Sequence, residues 1–322
     1  MSNVANLVLP FFGLILLGFV VAQFIRHEKA AMGWLSTFII YLALPALFFK
    51  LLSKTPIEEL TSWDFILTNI TATFSIFAVA FSIAYFICRT SIPSATIQGL
   101  VGAYGNIGYM GPGLVILTFG ETAAVPLALI FCFENIMHFT ITPTMMALSG
   151  EKKEKIKPLI ISILHSIIFH PFIIATFFGI GAAIFKFSPP VPIERLIDYL
   201  AQAAAPSALF AMGVTLALSS TKRAPIEITY LIPIKLLLHP LVMYLLLSWV
   251  GDFEESWVFT AVLLAALPTA TNVFVFAQQY GFWIERSSAC ILITTILSVL
   301  SVSCLLLAIT TNQIPSDLFP NS

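Results

Sequence analysis

Four ionisable side chains lie inside otherwise apolar stretches of the sequence, in two pairs with the same spacing. Glu134 and His138 are four residues apart, and so are Lys235 and His239. Residues four apart share one face of a helix, so the first pair has a geometry that can hold or pass a proton. Lys235 either neutralises a substrate carboxylate, takes the place of a coupling cation, pairs with Glu134, or extends its amino group along the helix towards water. The sequence does not decide between these roles.

Two segments combine helix-breaking residues with polar side chains. The first, Gly102 to Gly113, contains five glycines and a proline, and the second, Leu267 to Asn272, has a proline followed by three polar residues. A helix interior loses about 1 kcal/mol at glycine and about 3 kcal/mol at proline, so both segments are predicted to interrupt a helix. The freed backbone groups can meet a ligand. The predicted ligand-binding residues are Asn106, Gly108, Tyr109, Pro112, Lys235, Pro268, Thr269, Thr271 and Asn272.

The asparagines in these two segments have two possible roles. If the broken helices cross, the N-terminal ends of the half-helices favour an anion, whereas the C-terminal ends favour a cation or a donor. Asn106 and Asn272 carry both donor and acceptor atoms, so they either hold the two backbones together or contact the ligand directly.

The composition indicates that most of this chain lies in an apolar environment. Of its 322 residues 59% are hydrophobic and 10% are charged, with a mean hydropathy of +0.98. Soluble domains carry about 25% charged residues, so membrane lipid is the expected partner. The net charge of -1 gives no basic surface for nucleic acid. The four cysteines (Cys88, Cys132, Cys290 and Cys304) lie in apolar runs without metal-ligand spacing and are predicted to be buried. No catalytic motif is present, so no enzyme activity and no metal site are expected.

Ten apolar segments are long enough to cross a bilayer, which requires about 20 residues each. Their predicted limits are 4–25, 33–52, 63–88, 95–119, 122–148, 158–185, 194–219, 227–250, 257–280 and 285–311. Ten of the 15 Lys and Arg residues fall in one set of alternate connections and four in the other, with Lys235 inside a span. Because cytoplasmic loops are rich in these residues, both termini are predicted outside and the 151–157 loop inside. An inner or plasma membrane location is expected.

The two halves of the chain resemble each other. Pro10-Phe11 returns as Pro171-Phe172, and Pro45-Ala-Leu-Phe returns as Pro206-Ser-Ala-Leu-Phe, both at an offset of 161 residues. An odd number of spans per half makes the second copy inverted, an arrangement that suits alternating access. The sequence therefore predicts a secondary transporter with broken, crossing fourth and ninth helices, in which Glu134, His138 and Lys235 couple transport to a proton or sodium ion. The predicted parts are a first repeat (1–150), a linker (151–157) and a second repeat (158–322).

The segments Gly105 to Pro112 and Pro268 to Asn272, with Pro45-Ala-Leu-Phe, resemble the auxin efflux carrier family of the bile-acid and auxin carrier superfamily. That family includes bacterial members associated with malonate or malate transport. The resemblance implies a small organic anion as substrate, a homodimer, and a scaffold made of the first, second, sixth and seventh spans. The alternative is a ligand sensor of the same fold that performs no net transport.

Overall fold

The computed structural model describes residues 2–25, 32–56, 59, 61–150, 160, 161, 164, 165, 168–218 and 224–319. The predicted 151–157 linker therefore lies outside the described residues. Within them the regular structure is helical, together with one isolated backbone bridge between Gly105 and Thr269. The helices are α1 Ser2–Ile25, α2 Met32–Leu52, α3 Trp63–Ile87, α4 Ile92–Ala103, α5 Ile107–Phe119, α6 Ala124–Leu148, α7 Pro171–Ile184, α8 Val191–Leu218, α9 Ile228–Val250, α10 Glu255–Ala265, α11 Asn272–Tyr280 and α12 Ile284–Thr310.

Several of these helices are suited to a membrane. Six helical stretches are long and apolar enough to cross one: α2, α3, α8, α9, α12 and the 42-residue stretch Ile107–Leu148. A straight helix of that last length would extend about 63 Å, twice a bilayer core of about 30 Å. A 3₁₀ turn at Gly120–Ala123 divides it into α5 and α6, and Gly120 there has a φ of 72°. The chain is thus a multi-pass membrane protein.

Many large apolar side chains point away from the protein. Phe177, Phe178 and Leu300 are each more than two-thirds exposed, which suits a surface in contact with lipid rather than water. The same surface corrects the prediction for the cysteines. Cys132 and Cys290 are buried as predicted, but Cys88 and Cys304 are exposed. An apolar residue in a membrane span has an apolar environment on either side of its helix, so hydrophobicity alone did not show which way these two thiols face.

The chain forms two compact units, and each draws on both halves of the sequence. Unit 1 comprises Met1–Trp63, Ile107–Cys132 and Ile168–Ser219. It holds α1, α2, α7 and α8, which are the four spans that the resemblance assigns to a scaffold, together with α5. In this unit α1 and α8 approach closely, since a Cβ atom added at Gly213 would overlap the backbone oxygen of Ile15. Small residues at such a contact let two membrane helices pack backbone to backbone.

Unit 2 comprises Asp64–Asn106, Phe133–Ile167 and Ser220–Ser322. It holds α3, α4, most of α6 and α9 to α12. Its core packs Ile76 and Ala80 of α3 around Leu100 of α4 and Ile234 of α9. Gly102 of α4 has no room for a larger side chain, because an added Cβ atom would lie 2.9 Å from that of Ala80. This packing fixes the helices that carry most of the predicted site residues.

Candidate functional site

Two helix breaks meet in unit 2. Helix α4 ends at Ala103 and α5 begins at Ile107, whereas α10 ends at Ala265 and α11 begins at Asn272. The first break falls inside the segment that the sequence predicts to be interrupted, and the second begins one residue before its predicted segment. The Asn106 N–H donates to the Pro268 carbonyl at 2.8 Å, and the Ala270 N–H donates to the Tyr104 carbonyl at 2.9 Å. The exposed backbone of each break thus finds its partners on the other, as an apolar surrounding demands.

The C-terminal ends of both half-helices are bonded to side chains. The Thr269 hydroxyl donates to the Val101 carbonyl of α4 at 2.8 Å, and the Lys235 amino group donates to the Ala265 carbonyl of α10 at 2.9 Å. The last carbonyls of a helix have no partner within it and carry partial negative charge, so donors and cations are favoured there. One break therefore supplies the cap for α4, and α9 supplies the cap for α10.

A tyrosine connects the breaks to α6. The Asn272 side-chain amide donates to Tyr104 Oη at 2.9 Å, and the Tyr104 hydroxyl donates to Asn135 Oδ1. The Tyr104 ring also stacks on the His138 ring, with 4.0 Å between ring centroids. Asn272 thus holds the two breaks together, which is one of the two roles that the sequence left open for it.

Lys235 and Glu134 are joined through two other side chains, and we call the four residues Lys235, His239, Thr73 and Glu134 the polar row. Lys235 Nζ lies 2.9 Å from His239 Nδ1, His239 Nε2 lies 3.2 Å from Thr73 Oγ1, and the Thr73 hydroxyl donates to Glu134 Oε1 at 2.7 Å. All four side chains are buried, and Lys235 is 0% exposed. This burial excludes the interpretation in which Lys235 reaches towards water, and its link to Glu134 is indirect.

Three polar atoms beside the polar row have no hydrogen-bond partner within the described residues. They are Glu134 Oε2 and both ring nitrogens of His138, a side chain that is 0% exposed. Glu134 and His138 share a face of α6 as predicted, but they do not bond to each other. A buried polar atom without a partner is costly, so these atoms are the ones that a ligand or a proton would satisfy.

The structure brings most of the predicted site residues together in unit 2. These are Asn106, Glu134, His138, Lys235, Pro268, Thr269, Thr271 and Asn272. The other three, Gly108, Tyr109 and Pro112, belong to α5 in unit 1, and their part in ligand binding stays a prediction.

Four contributors are absent from the predicted set: Thr73, Tyr104, Asn135 and His239. The sequence contains one signal for Thr73, because Asn69 and Thr73 are polar residues four apart in an apolar span. Both side chains are buried on α3. Tyr104 lies within the first glycine-rich segment, and the spacing of Lys235 and His239 already marked His239 as a neighbour.

Comparison with known proteins agrees with this membrane architecture. Residues 3–306 match the family described as "Membrane transport protein". A protein of Rhizobium meliloti (strain 1021) named "Putative malonate transporter" is 61% identical over 320 residues, which cover 99% of this chain and all of the relative. A protein of Methanothermobacter thermautotrophicus named "Uncharacterized transporter" is 26% identical over 297 residues, which cover 90% of this chain and 93% of the relative. The chain therefore belongs to the membrane transport protein family, in agreement with the resemblance of its motifs to auxin efflux carriers, and this is a family of transporters rather than of enzymes.

Proposed function

We propose that this transporter carries a small carboxylate, such as malonate, by secondary active transport with alternating access. The observation that supports the proposal most directly is the junction of the two helix breaks in unit 2. Broken helices at corresponding places in two halves of a sequence are typical of transport sites, because they bring free backbone dipoles to mid-membrane. Here the junction is surrounded by buried polar side chains, three of whose atoms lack partners in the part of the chain that the structure describes.

The groups at the two ends of the second break favour an anion. The Lys235 amino group donates to the Ala265 carbonyl, where this break begins. At the other end of this break α11 begins at Asn272, and the preceding residue, Thr271, makes no side-chain cap. The N–H groups of Val273 and Phe274 bond to the carbonyls of Ala270 and Thr271, and the positive end of the α11 dipole lies at the break. A carboxylate fits this environment better than a cation does.

The name of the Rhizobium meliloti relative suggests the substrate class. That relative covers this chain almost completely at 61% identity, and its name proposes malonate. Malonate is a small dicarboxylate that hydrogen-bond donors such as Asn272 and the His138 ring can orient, with Lys235 supplying positive charge. Malonate is therefore the first probe to test.

For the architecture we propose ten spans in two inverted repeats, 1–150 and 158–322, with the fourth and ninth helices crossing at the junction. The two breaks and the composition of unit 1 support this arrangement. We also propose a homodimer, as the family resemblance implies. In this scheme the protein alternates between states that open the junction to one side of the membrane or to the other.

A membrane sensor that binds its ligand without moving it is the alternative function. One experiment distinguishes the sensor from the transporter. Full-length protein reconstituted in liposomes should take up labelled malonate and exchange it for internal malonate. Saturable binding without either activity would support the sensor and refute the transporter.

Variants at the junction test whether it is the transport site. Asn272→Ala removes the amide that holds Tyr104, and Asn106→Ala removes a side-chain amide while keeping the backbone bond to Pro268. Losing a buried polar partner costs about 1 to 3 kcal/mol, so transport should weaken by about 5- to 150-fold in each.

The matched control for these variants is Gln278→Ala, which removes an exposed amide from the same helix as Asn272. It should transport malonate like the unmodified protein. Unaltered kinetics in both asparagine variants, measured at equal amounts of folded protein, would remove the junction from the mechanism.

A further inference from the structure

We propose that Glu134 binds one proton for each small carboxylate that the protein moves, and that Thr73 and His239 connect this proton to Lys235. The inference rests on the proposed function and names its coupling ion. Its basis is the polar row, in which every neighbouring pair lies within hydrogen-bond distance and all four side chains are buried.

The polar row has a consistent direction of hydrogen-bond donation. The Thr73 hydroxyl has one hydrogen, and it donates to Glu134 Oε1. Thr73 Oγ1 must then accept from His239 Nε2, which leaves His239 Nδ1 as the acceptor for a hydrogen of Lys235 Nζ. Every donor therefore points from the amine to the carboxylate. This is the arrangement expected for a protonated Lys235 at one end and an ionised Glu134 at the other.

A proton can pass along this row with every atom accounted for. Thr73 gives its hydrogen to Glu134 and takes the Nε2 hydrogen of His239, while His239 Nδ1 takes one hydrogen from Lys235. The result is a neutral acid, a neutral amine, a threonine that still has one hydrogen, and the other tautomer of His239. All three hydrogen bonds reverse and none is lost. The two ends can therefore become charged or neutral together.

Substrate binding changes the charge that this row must carry. Lys235 and Glu134 sum to zero charge in both arrangements, so a carboxylate entering the junction adds an uncompensated negative charge to a buried place, which is costly. One further proton taken up by Glu134 removes that excess, while the row keeps its donation from Lys235 towards Glu134 Oε1 and so leaves the amine positive. Glu134 Oε2 has no partner in the described residues and is the free acceptor for this proton.

The other titratable groups around the polar row do not replace Glu134 in this role. They are His138 on α6, His239 on α9 and Tyr104 at the first break; α3 contributes Thr73, and α10 contributes the Ala265 carbonyl. Glu134 is the carboxylate among them, so it alone is neutralised by gaining a proton. The Lys235 amino group already donates to the Ala265 carbonyl oxygen. A sodium ion that bound this oxygen would therefore have to share it with a positively charged group.

The experiment uses full-length protein in liposomes that contain a pH-sensitive dye, with labelled malonate as the probe. Malonate entry should acidify the lumen, and an inward proton gradient without sodium on either side should drive accumulation that a protonophore abolishes. Malonate entry with an unchanged internal pH, or accumulation that requires a sodium gradient, would overturn the proposal.

Variants of α3 test the connection itself. Thr73→Val keeps the shape of the side chain but removes the hydroxyl that bonds the ionised Glu134 and links it to His239. Glu134 should then keep its proton throughout transport, and the ratio of protons to malonate should fall from about one towards zero. Thr73→Ser should restore the ratio. Thr71→Val, on the exposed face of the same helix, is the matched control and should behave like the unmodified protein. An unchanged ratio in Thr73→Val, or a ratio in Thr73→Ser as low as in Thr73→Val, would refute the role of the Thr73 hydroxyl in the polar row.

An infrared measurement tests Glu134 without any substrate. As the pH falls, the purified protein should gain the carbonyl stretch of a buried protonated carboxyl group that is missing in Glu134→Gln and shifted in Thr73→Val. Absence of such a band while the protein remains folded overturns the proposal. If the band is present but malonate neither accumulates nor exchanges, the proposed malonate transport is refuted, whereas proton binding by Glu134 is supported.

Discussion

Replacing Thr269 by valine would remove one hydrogen bond from the junction of the helix breaks while keeping the size of the side chain. Thr269 is 0% exposed, and its hydroxyl donates to the Val101 carbonyl in the last turn of α4 at 2.8 Å. The backbone bridge between Gly105 and Thr269 does not involve the side chain, so it stays available to the variant. The substitution therefore tests the cap on α4 separately from the backbone pairing.

The size of the effect follows from what the Val101 carbonyl loses. Hydrogen bonds between membrane helices contribute about 0.6 kcal/mol on average and at most about 1.7 kcal/mol. A buried carbonyl left without a donor adds its desolvation cost, which brings the total to about 1 to 3 kcal/mol. The last turn of a helix has no later N–H group that can replace the hydroxyl, so we expect a value in the upper part of this range.

Thermal unfolding of the purified protein in detergent measures this effect. A loss of about 1 to 3 kcal/mol should lower the Tm by about 1.5 to 4.5 °C in a chain of this size. Malonate uptake should fall as well, because the cap holds α4 against the second break. Thr269→Ser keeps the hydroxyl and should retain both properties. A valine variant with the Tm and uptake of the unmodified protein would refute the argument that this bond holds the breaks together.

The remaining predictions concern charge, packing and orientation. Lys235→Gln should raise the KM for malonate by about 5- to 150-fold and Lys235→Arg by less, because arginine keeps a cation at this position; equal uptake by the glutamine variant would exclude a required charge. Gly213→Ala should cost about 1 to 3 kcal/mol in thermal unfolding because its Cβ atom meets the α1 backbone, whereas Gly13→Ala, with open space around it, should not. Cysteines placed at 152–157 should react only with reagents that reach the cytoplasmic side; labelling from outside would reverse the predicted orientation.

The sequence was sufficient to locate the helix breaks, for a simple physical reason. Glycine and proline weaken a helix through their own backbone, whichever helix packs beside them. Gly105 and Pro268 accordingly lie in the breaks at 104–106 and 266–271, although Gly108 and Pro112 of the first segment lie inside α5. Burial of Glu134 and Lys235 was foreseeable on similar grounds, because an ionisable residue in a membrane span normally faces the protein interior.

The partners of these residues could not be read from the sequence. Threonine is frequent in the spans, and many of its hydroxyls simply bond to a carbonyl four residues earlier, as in Thr68, Thr96 and Thr118. Thr73 and Thr269 instead bond across to other elements. The residue type is the same in both cases, and only the packing of the helices decides which way the hydroxyl points. Packing likewise decides that Glu134 and His138, which share a face of α6 as predicted, do not bond directly to each other.

The two breaks differ in charge even though the sequence predicts them to be related by the repeat. The C-terminal end of α4 is capped by a neutral hydroxyl, whereas that of α10 is capped by the amino group of Lys235. Six residues, 266–271, separate the Ala265 carbonyl, which Lys235 caps, from the start of α11. The dipole of α11 is positive at this end. The second break therefore has a positive group at each end, and the first break has none at the end of α4. A carboxylate that reaches the junction should bind nearer the second break, with Asn272 in reach.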